Sequence, residues 1–247
     1  MPSYSFNTKY FDIIDNEHKA YWMGFLWCDG YVGKREREQP NGNIRTEYNL
    51  KFSLMKPDRD HLEKFNKDIN GDYLIHIYKT NGFDKSIESF ECRLFITNLY
   101  FGRLLQEKYG IIPNRFDCSK VIKLIPENLK RHFIRGILDA DGSFSHYIFT
   151  DKKNGCETKK ITIGFTTCEN LLEFIEEYFY SKKLTNTRKY KKEKRHKEED
   201  RDTNCRGLKF SGRVQALTLL SYLYDDSTIY LDRKYEKYLK IKKEFGD

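Results

Sequence analysis

Asp29 and Asp141 each end an apolar stretch, are each followed by a glycine, and lie five residues beyond another glycine, Gly24 or Gly136. The two segments, Tyr21-Trp-Met-Gly-Phe-Leu-Trp-Cys-Asp-Gly30 and Phe133-Ile-Arg-Gly-Ile-Leu-Asp-Ala-Asp-Gly142, match from their second residue as apolar, variable, glycine, apolar, apolar, variable, small, Asp, Gly. On a helix, Gly24 and Cys28, or Gly136 and Ala140, share one face and are small enough for two backbones to approach. The glycine after each acid suits the left-handed conformation that closes a helix. Each carboxylate then sits at the negative end of a helix dipole, unfavourable by about 0.3–1 kcal/mol. Packing the helices side by side also crowds two like charges. A divalent cation with oxygen ligands relieves both costs, and an acidic pair facing a polyphosphate is a usual way of holding Mg²⁺. A single Asp-Gly would be an ordinary turn dipeptide. Two copies with matching glycines predict a paired metal site at Asp29 and Asp141.

The elements that must position these acids also occur twice, which makes an internal repeat the organising feature. After Gly30 come a short strand, a turn around Pro40 to Asn43, and a strand from Asn49 to Met55 in which Leu50, Phe52 and Leu54 alternate with Lys51 and Ser53. A helix follows, capped by Asp58, with Leu62, Phe65 and Ile69 on one face. Tyr73 to Lys79 and Phe90 to Thr97 form a second hairpin turned at Asn81-Gly82, and Leu99 to Tyr109 a helix closed by Gly110. The second half repeats the order. Strands Ser143 to Thr150 and Lys160 to Thr167 precede a helix with Leu171, Ile175 and Phe179 in register. Strands Thr185 to Lys194 and Arg206 to Gly212 precede a helix from Arg213 to Tyr224. The predicted class is α+β, two α-ββα-ββα repeats, each a four-stranded antiparallel sheet covered by helices. The expected division is residues 1–110, an irregular linker at 111–126 bounded by Pro113 and Pro126, residues 127–226, and a final amphipathic helix in 227–247 carrying Leu231, Tyr235, Tyr238 and Phe245.

Composition sets the outer bounds. Among 247 residues, 45 Lys plus Arg face 37 Asp plus Glu, a net charge of +8 that favours a polyanionic partner. Six cysteines lie singly without a CxxC pair, so neither a zinc knuckle nor a disulfide framework is expected. No stretch approaches the ~20 apolar residues of a membrane span, and the N-terminus lacks a signal-peptide core. These features predict a soluble, intracellular protein, in the cytoplasm of a bacterial or phage-infected cell or in an organelle.

Arg135-Gly-Ile-Leu-Asp-Ala-Asp-Gly142 resembles the LAGLIDADG motif of homing endonucleases, and Met23-Gly-Phe-Leu-Trp-Cys-Asp-Gly30 its looser form. The resemblance covers nearly the whole chain. It implies motif helices packed at a pseudo-twofold interface, metal (Mg²⁺ or Mn²⁺) on Asp29 and Asp141, and two sheets forming a saddle on a long double-stranded DNA site that a monomer cuts on both strands. The motif's earlier acid is Asp139 in the second copy and Trp27 in the first. The resemblance puts Ser53 and Thr166 near the scissile phosphates and Asn98 and Ser211 where a supporting lysine often sits. Lys234, in Ile229-Tyr-Leu-Asp-Arg-Lys234, resembles a C-terminal signature of some members and is a possible supporting residue; a solvated helix face explains it equally. With apolar strand residues turned to the helices, the polar alternates Lys51, Ser53, Arg93, Thr162, Thr166, Arg188, Lys189, Lys191 and Lys209 are the candidate DNA contacts. The competing function is a non-cleaving DNA- or RNA-binding protein on the same fold, such as an intron maturase or a regulator. An intein-embedded origin is not expected, because the chain starts at Met1 and lacks a terminal His-Asn splice signature. Neither a His-Asn-His motif nor an acid followed by Glu-x-Lys after Pro57-Asp58 points to another nuclease class.

Overall fold

A computed structural model describes residues 4–81, 88–113, 117–150, 155–185 and 205–246. The first motif helix, α1 (Glu17–Asp29), starts at Asn16, whose side chain accepts the Lys19 amide at 3.1 Å, an N-cap that satisfies one of the helix's free donors. The chain then runs through β1 (Gly30–Glu38), β2 (Ile44–Met55), α2 (Arg59–Asp68), β3 (His76–Asn81), β4 (Glu88–Thr97) and α3 (Leu99–Arg103), which continues into a π-helical turn over Leu104–Lys108. A short helix α4 (Ser119–Leu124) precedes the second motif helix, α5 (Lys130–Ala140). Then come β5 (Ser143–Thr150), β6 (Glu157–Cys168), α6 (Glu169–Ser181), β7 (Cys205–Ser211), α7 (Arg213–Tyr224) and α8 (Asp232–Phe245).

All strand pairs are antiparallel, in the orders β1-β2-β4-β3 and β5-β6-β7. The period-2 alternation works as expected. Leu50, Phe52, Leu54, Cys92, Leu94 and Ile96 turn inward in the first sheet, and Ile161, Ile163, Phe165, Leu208 and Phe210 in the second. Leu62, Phe65 and Ile69 of the α2 region, and Leu171, Ile175 and Phe179 of α6, cover those faces and are fully buried. The outward faces mix polar side chains with exposed aromatics, among them Tyr31, Phe95, Tyr147 and Phe149. Lys51, Ser53 and Arg93 lie on the first and Thr162, Thr166 and Lys209 on the second, as their alternation predicts. Arg188, Lys189 and Lys191, with all of the strand expected over Thr185 to Lys194 except Thr185 itself, fall outside the described residues, which give the second sheet three strands.

The two halves meet where α1 and α5 touch backbone to backbone. A Cβ on Gly24 would stand 2.1 Å from the Phe133 carbonyl oxygen and 3.2 Å from the Ile137 nitrogen. A Cβ on Gly136 would stand 2.1 Å from the Tyr21 carbonyl oxygen and 2.9 Å from the Phe25 nitrogen. Each glycine thus fits between the residues three before and one after its counterpart. This reciprocity is the mark of a twofold-related contact. Cys28 and Ala140, expected on the same faces, are partly buried against the core. Burial of every residue from Ala20 to Trp27, on all sides of α1, follows from its place between α5 and the first sheet's helices.

Four local expectations are corrected. Neither Gly30 nor Gly142 is left-handed: Gly30 is extended at φ −76°, and Gly142 is absent from the positive-φ positions. Space dictates them instead, since a Cβ would come within 2.6 Å of the Leu26 oxygen or 2.7 Å of the Leu138 oxygen and Cα. Asp58 stands at the N-cap position of α2, but its side chain makes no capping hydrogen bond. A 3-10 turn over Lys56–Asp58 precedes the helix, and the Asp58 carboxylate takes the Arg233 guanidinium at 2.9 and 3.0 Å. The segment read as irregular linker contains α4, and Ile111, Cys118, Val121 and Ile125 within it are buried. Residues 73–75 stay outside the sheet, β3 starting at His76.

Gly24→Ala and Gly136→Ala should each push the motif helices apart. Overpacking of this kind costs about 1–3 kcal/mol, and a chain of this size loses about 2–4 °C of melting temperature per kcal/mol. At an exposed helical site the same change stabilises, by up to about 1 kcal/mol. Thermal melts showing an unchanged or raised midpoint for both variants would contradict the close crossing.

Candidate active site

Asp29 is the last residue of α1 and is half-buried; Asp141 follows α5 and is exposed. The Asp141 and Gly142 amides both donate to the Ile137 carbonyl, at 3.0 and 3.2 Å, which holds the acid against the final turn of its helix. Below them lies Lys234 of α8. Its ammonium donates to the Leu138, Asp139 and Gly142 carbonyls at 2.6, 2.7 and 2.7 Å and is 6% exposed. It thereby caps the free carbonyls at the C-terminus of α5 with a positive charge where the dipole favours one. Burial pushes its pKa down to about 8, while Asp139 and then Asp29 and Asp141 hold it up. The ammonium thus sits directly beneath the turn that carries Asp141, bonded to the carbonyls on either side of it. The solvated-face alternative for Lys234 is overturned. Its place was legible in the sequence, because it lies three residues after Leu231 and four before Tyr238, on the apolar stripe of α8.

The earlier motif acid, Asp139, is structural. Its fully buried carboxylate accepts Tyr21 Oη at 2.8 Å, Tyr224 Oη at 2.5 Å and the Leu231 amide at 2.8 Å. Burial raises its pKa; Lys234 and these donors oppose the rise. One helical turn earlier, the buried Arg135 guanidinium donates to the Ile229 and Leu223 carbonyls at 3.0 and 2.9 Å and to Glu17 Oε1 at 2.6 Å. Since Arg135 can only donate, His132 Nδ1, 3.0 Å away, must accept, and burial together with Arg135 pushes that imidazole down to about 4. Glu17 also accepts the Thr228 amide at 2.9 Å. His18 Nδ1 lies 2.7 Å from Asp68 and its Nε2 3.1 Å from Thr228 Oγ1; the Asp68 bond raises its pKa. Thus α5, α1 and the segment leading into α8 are tied together directly behind the acids. In the first copy Trp27 replaces this chemistry with apolar packing and is buried.

Beside Asp29 an open depression of about 240 Å³ is lined by Asp29, Tyr31, Lys51 and Ser53. Tyr31 escaped the sequence reading, although it stands two residues beyond the acid and therefore on the same outward face as its cross-strand partner Lys51. Glu91 neighbours this depression and engages Arg93 at 2.9 and 3.0 Å and Lys51 at 3.8 Å, so Arg93 is neutralised within the chain. Hydrogen bonding from Arg93 holds the Glu91 carboxyl below its ordinary range. Asn98 is an N-cap of α3, accepting the Phe101 amide at 2.9 Å, and Ser211 ends β7. Among the described residues no three His, Cys, Asp or Glu side chains gather as metal ligands, and no helix is long and apolar enough to cross a membrane.

No protein-family model and no curated protein matches the chain. Solved structures do. The I-LtrWI LAGLIDADG homing endonuclease bound to target DNA aligns with a TM-score of 0.61 at 13% identity, over 97% of this chain and 91% of its own. The LAGLIDADG meganuclease I-AabMI bound to uncleaved DNA gives 0.56 at 15% identity, over 94% and 91%. The I-SmaMI LAGLIDADG homing endonuclease bound to cleaved DNA gives 0.56 at 14%, over 94% and 89%. The chain has the fold of the single-chain LAGLIDADG homing endonucleases.

Two outcomes follow for the support beneath the acids. Lys234→Met leaves three buried carbonyls without their donor and Asp139 without its neighbouring charge, a type of loss that costs about 3–5 kcal/mol; the urea midpoint should fall accordingly. The raised His18 pKa adds stability that is fully present below about pH 6.5. That contribution is lost as pH rises through the raised value. The difference in urea midpoint between the unaltered chain and His18→Gln should therefore shrink from pH 6 toward pH 8. A difference that is constant or grows with pH would contradict the ion pair with Asp68.

Proposed function

We propose that the chain is a site-specific DNA endonuclease of the homing type, a monomer that lays a long asymmetric duplex along the outward faces of its two sheets and hydrolyses both strands between them. The observation that carries this reading is the reciprocal glycine crossing, from which Asp29 and Asp141 emerge at the ends of the paired helices, each leading directly into the first strand of its sheet. The net charge of +8 favours a polyanion.

Asp29 and Asp141 offer hard oxygen donors, which suit Mg²⁺ or Mn²⁺. With two protein carboxylates, a cation would draw its remaining ligands from phosphate and water, as Mg²⁺ commonly does. Bound there, it would supply a lowered pKa for an attacking water and charge neutralisation at the phosphate. The chain's own part is positional. Lys234 and the amides of Asp141 and Gly142 hold the second acid's loop, and the side chains around the depression orient the phosphate beside Asp29. A non-cleaving nucleic-acid binder on the same fold is the second reading; it is favoured by Asn98, whose side chain is committed to a helix cap.

Selection of cleaved sequences from a randomised duplex library with Mg²⁺ separates the two, since a binder enriches sequences without cutting them. On a selected site, Asp29→Asn and Asp141→Asn should each abolish double-strand cleavage while DNA binding without metal survives. Full cutting by the double variant would end the proposal. Affinity should also fall with salt, by a slope of roughly −0.9 per phosphate neutralised. A flat salt dependence would remove the sheets as the DNA surface.

A further inference from the structure

The two halves do not present lysine at equivalent places beside their acids. Tyr31 and Ser143 each stand two residues beyond a motif acid. Tyr31 pairs across the sheet with Lys51, and Ser143 with Gly164, so Lys51 and Gly164 are equivalent positions. One strand further on, Lys51 pairs with Phe95, whereas Gly164 pairs with Lys209. The lysine and its uncharged neighbour have changed places: Lys51 beside Phe95 in the first half, Gly164 beside Lys209 in the second.

The exchange has a steric reason. In the first half Lys51 itself lines the depression with Asp29, its ammonium 3.8 Å from Glu91, whose two oxygens already take Arg93 at 2.9 and 3.0 Å. In the second half Lys209 starts one strand further from the acid, a displacement of roughly 4.8 Å. Gly164 offers no side chain in its path, and a Cβ there would meet Ser143 Oγ at 3.3 Å. Lys209 is exposed, and its four-carbon stem can lie across the glycine toward Asp141.

Resting on the endonuclease reading, we propose that Lys51 and Lys209 are the catalytic lysines of the two half-sites, Lys51 serving the strand cut beside Asp29 and Lys209 the strand cut beside Asp141. Each ammonium donates to a non-bridging oxygen of the scissile phosphate as negative charge builds there. Water supplies a hydroxyl to phosphorus and a proton to the departing ester oxygen, and one P–O bond breaks. No other reactant is needed.

The test uses the whole chain, Mg²⁺, and a duplex chosen by cleavage from a randomised library, with a different fluorophore on each strand. Lys51→Met should slow hydrolysis of one strand by about a hundredfold and Lys209→Met that of the other, nicked duplex accumulating in both cases. Affinity should change less than about tenfold, and Lys51→Arg should recover part of the lost rate. Both side chains are at the surface, and matching thermal midpoints establish that the variants fold. If each variant slows both strands alike, or weakens binding with no change in strand rates at saturation, the assignment falls and the endonuclease reading stands. If the unaltered chain cuts no member of the library, both fall.

Discussion

Everything in this molecule is arranged around a contact between two backbones. Gly24 and Gly136 let α1 and α5 approach until a single methyl group would overlap a carbonyl of the neighbour. A contact so close leaves little freedom in helix separation or rotation, because protein interiors are packed too densely to absorb such a shift. It fixes where the last turn of each helix ends, and with it the acids and the first strand of each sheet. Since β1 begins at Gly30 and β5 at Ser143, the sheets inherit the crossing's geometry directly, with hardly a residue of intervening chain to dilute it.

Behind the crossing lies a group of buried charges that a core would ordinarily avoid. Arg135, Asp139 and Lys234, with the half-buried Glu17, are tolerated because nearly every donor and acceptor among them is matched: guanidinium to carbonyls and carboxylate, carboxylate to two phenols and an amide, ammonium to three carbonyls. Such networks are worth little as a source of net stability, but they specify one arrangement sharply. Here they fasten the segment from Tyr224 to Lys234 against α5. The final helix is thereby part of the site's foundation.

Much of this was legible in the sequence, and the failures share a cause. The paired Asp-Gly segments, the alternation of Leu50, Phe52 and Leu54, and the helical spacing of Leu171, Ile175 and Phe179 are local patterns, and local patterns predicted the elements that formed. The requirement for glycine at positions 30 and 142 was legible, but its reason was misassigned: the backbone is ordinary and the space is not. Asp58 had the look of a helix cap, yet its partner Arg233 comes from the far end of the chain. Alternation gave the side of the sheet on which Lys51 and Lys209 lie. It could not give the register, and register is what shows them to be non-equivalent.

The reciprocity of the crossing has a consequence for self-recognition. Each helix offers the other the same positions, so the glycine contact by itself does not distinguish a chain's own second helix from the first helix of another copy. The distinction is made by residues that have no counterpart. Glu17 and Tyr21 of α1 find Arg135 and Asp139 on α5, whereas two copies of α1 would bring Met23 and Trp27 to those places. The repeat is therefore symmetric in shape and asymmetric in charge, and its two halves form an ordered pair whose members are not interchangeable.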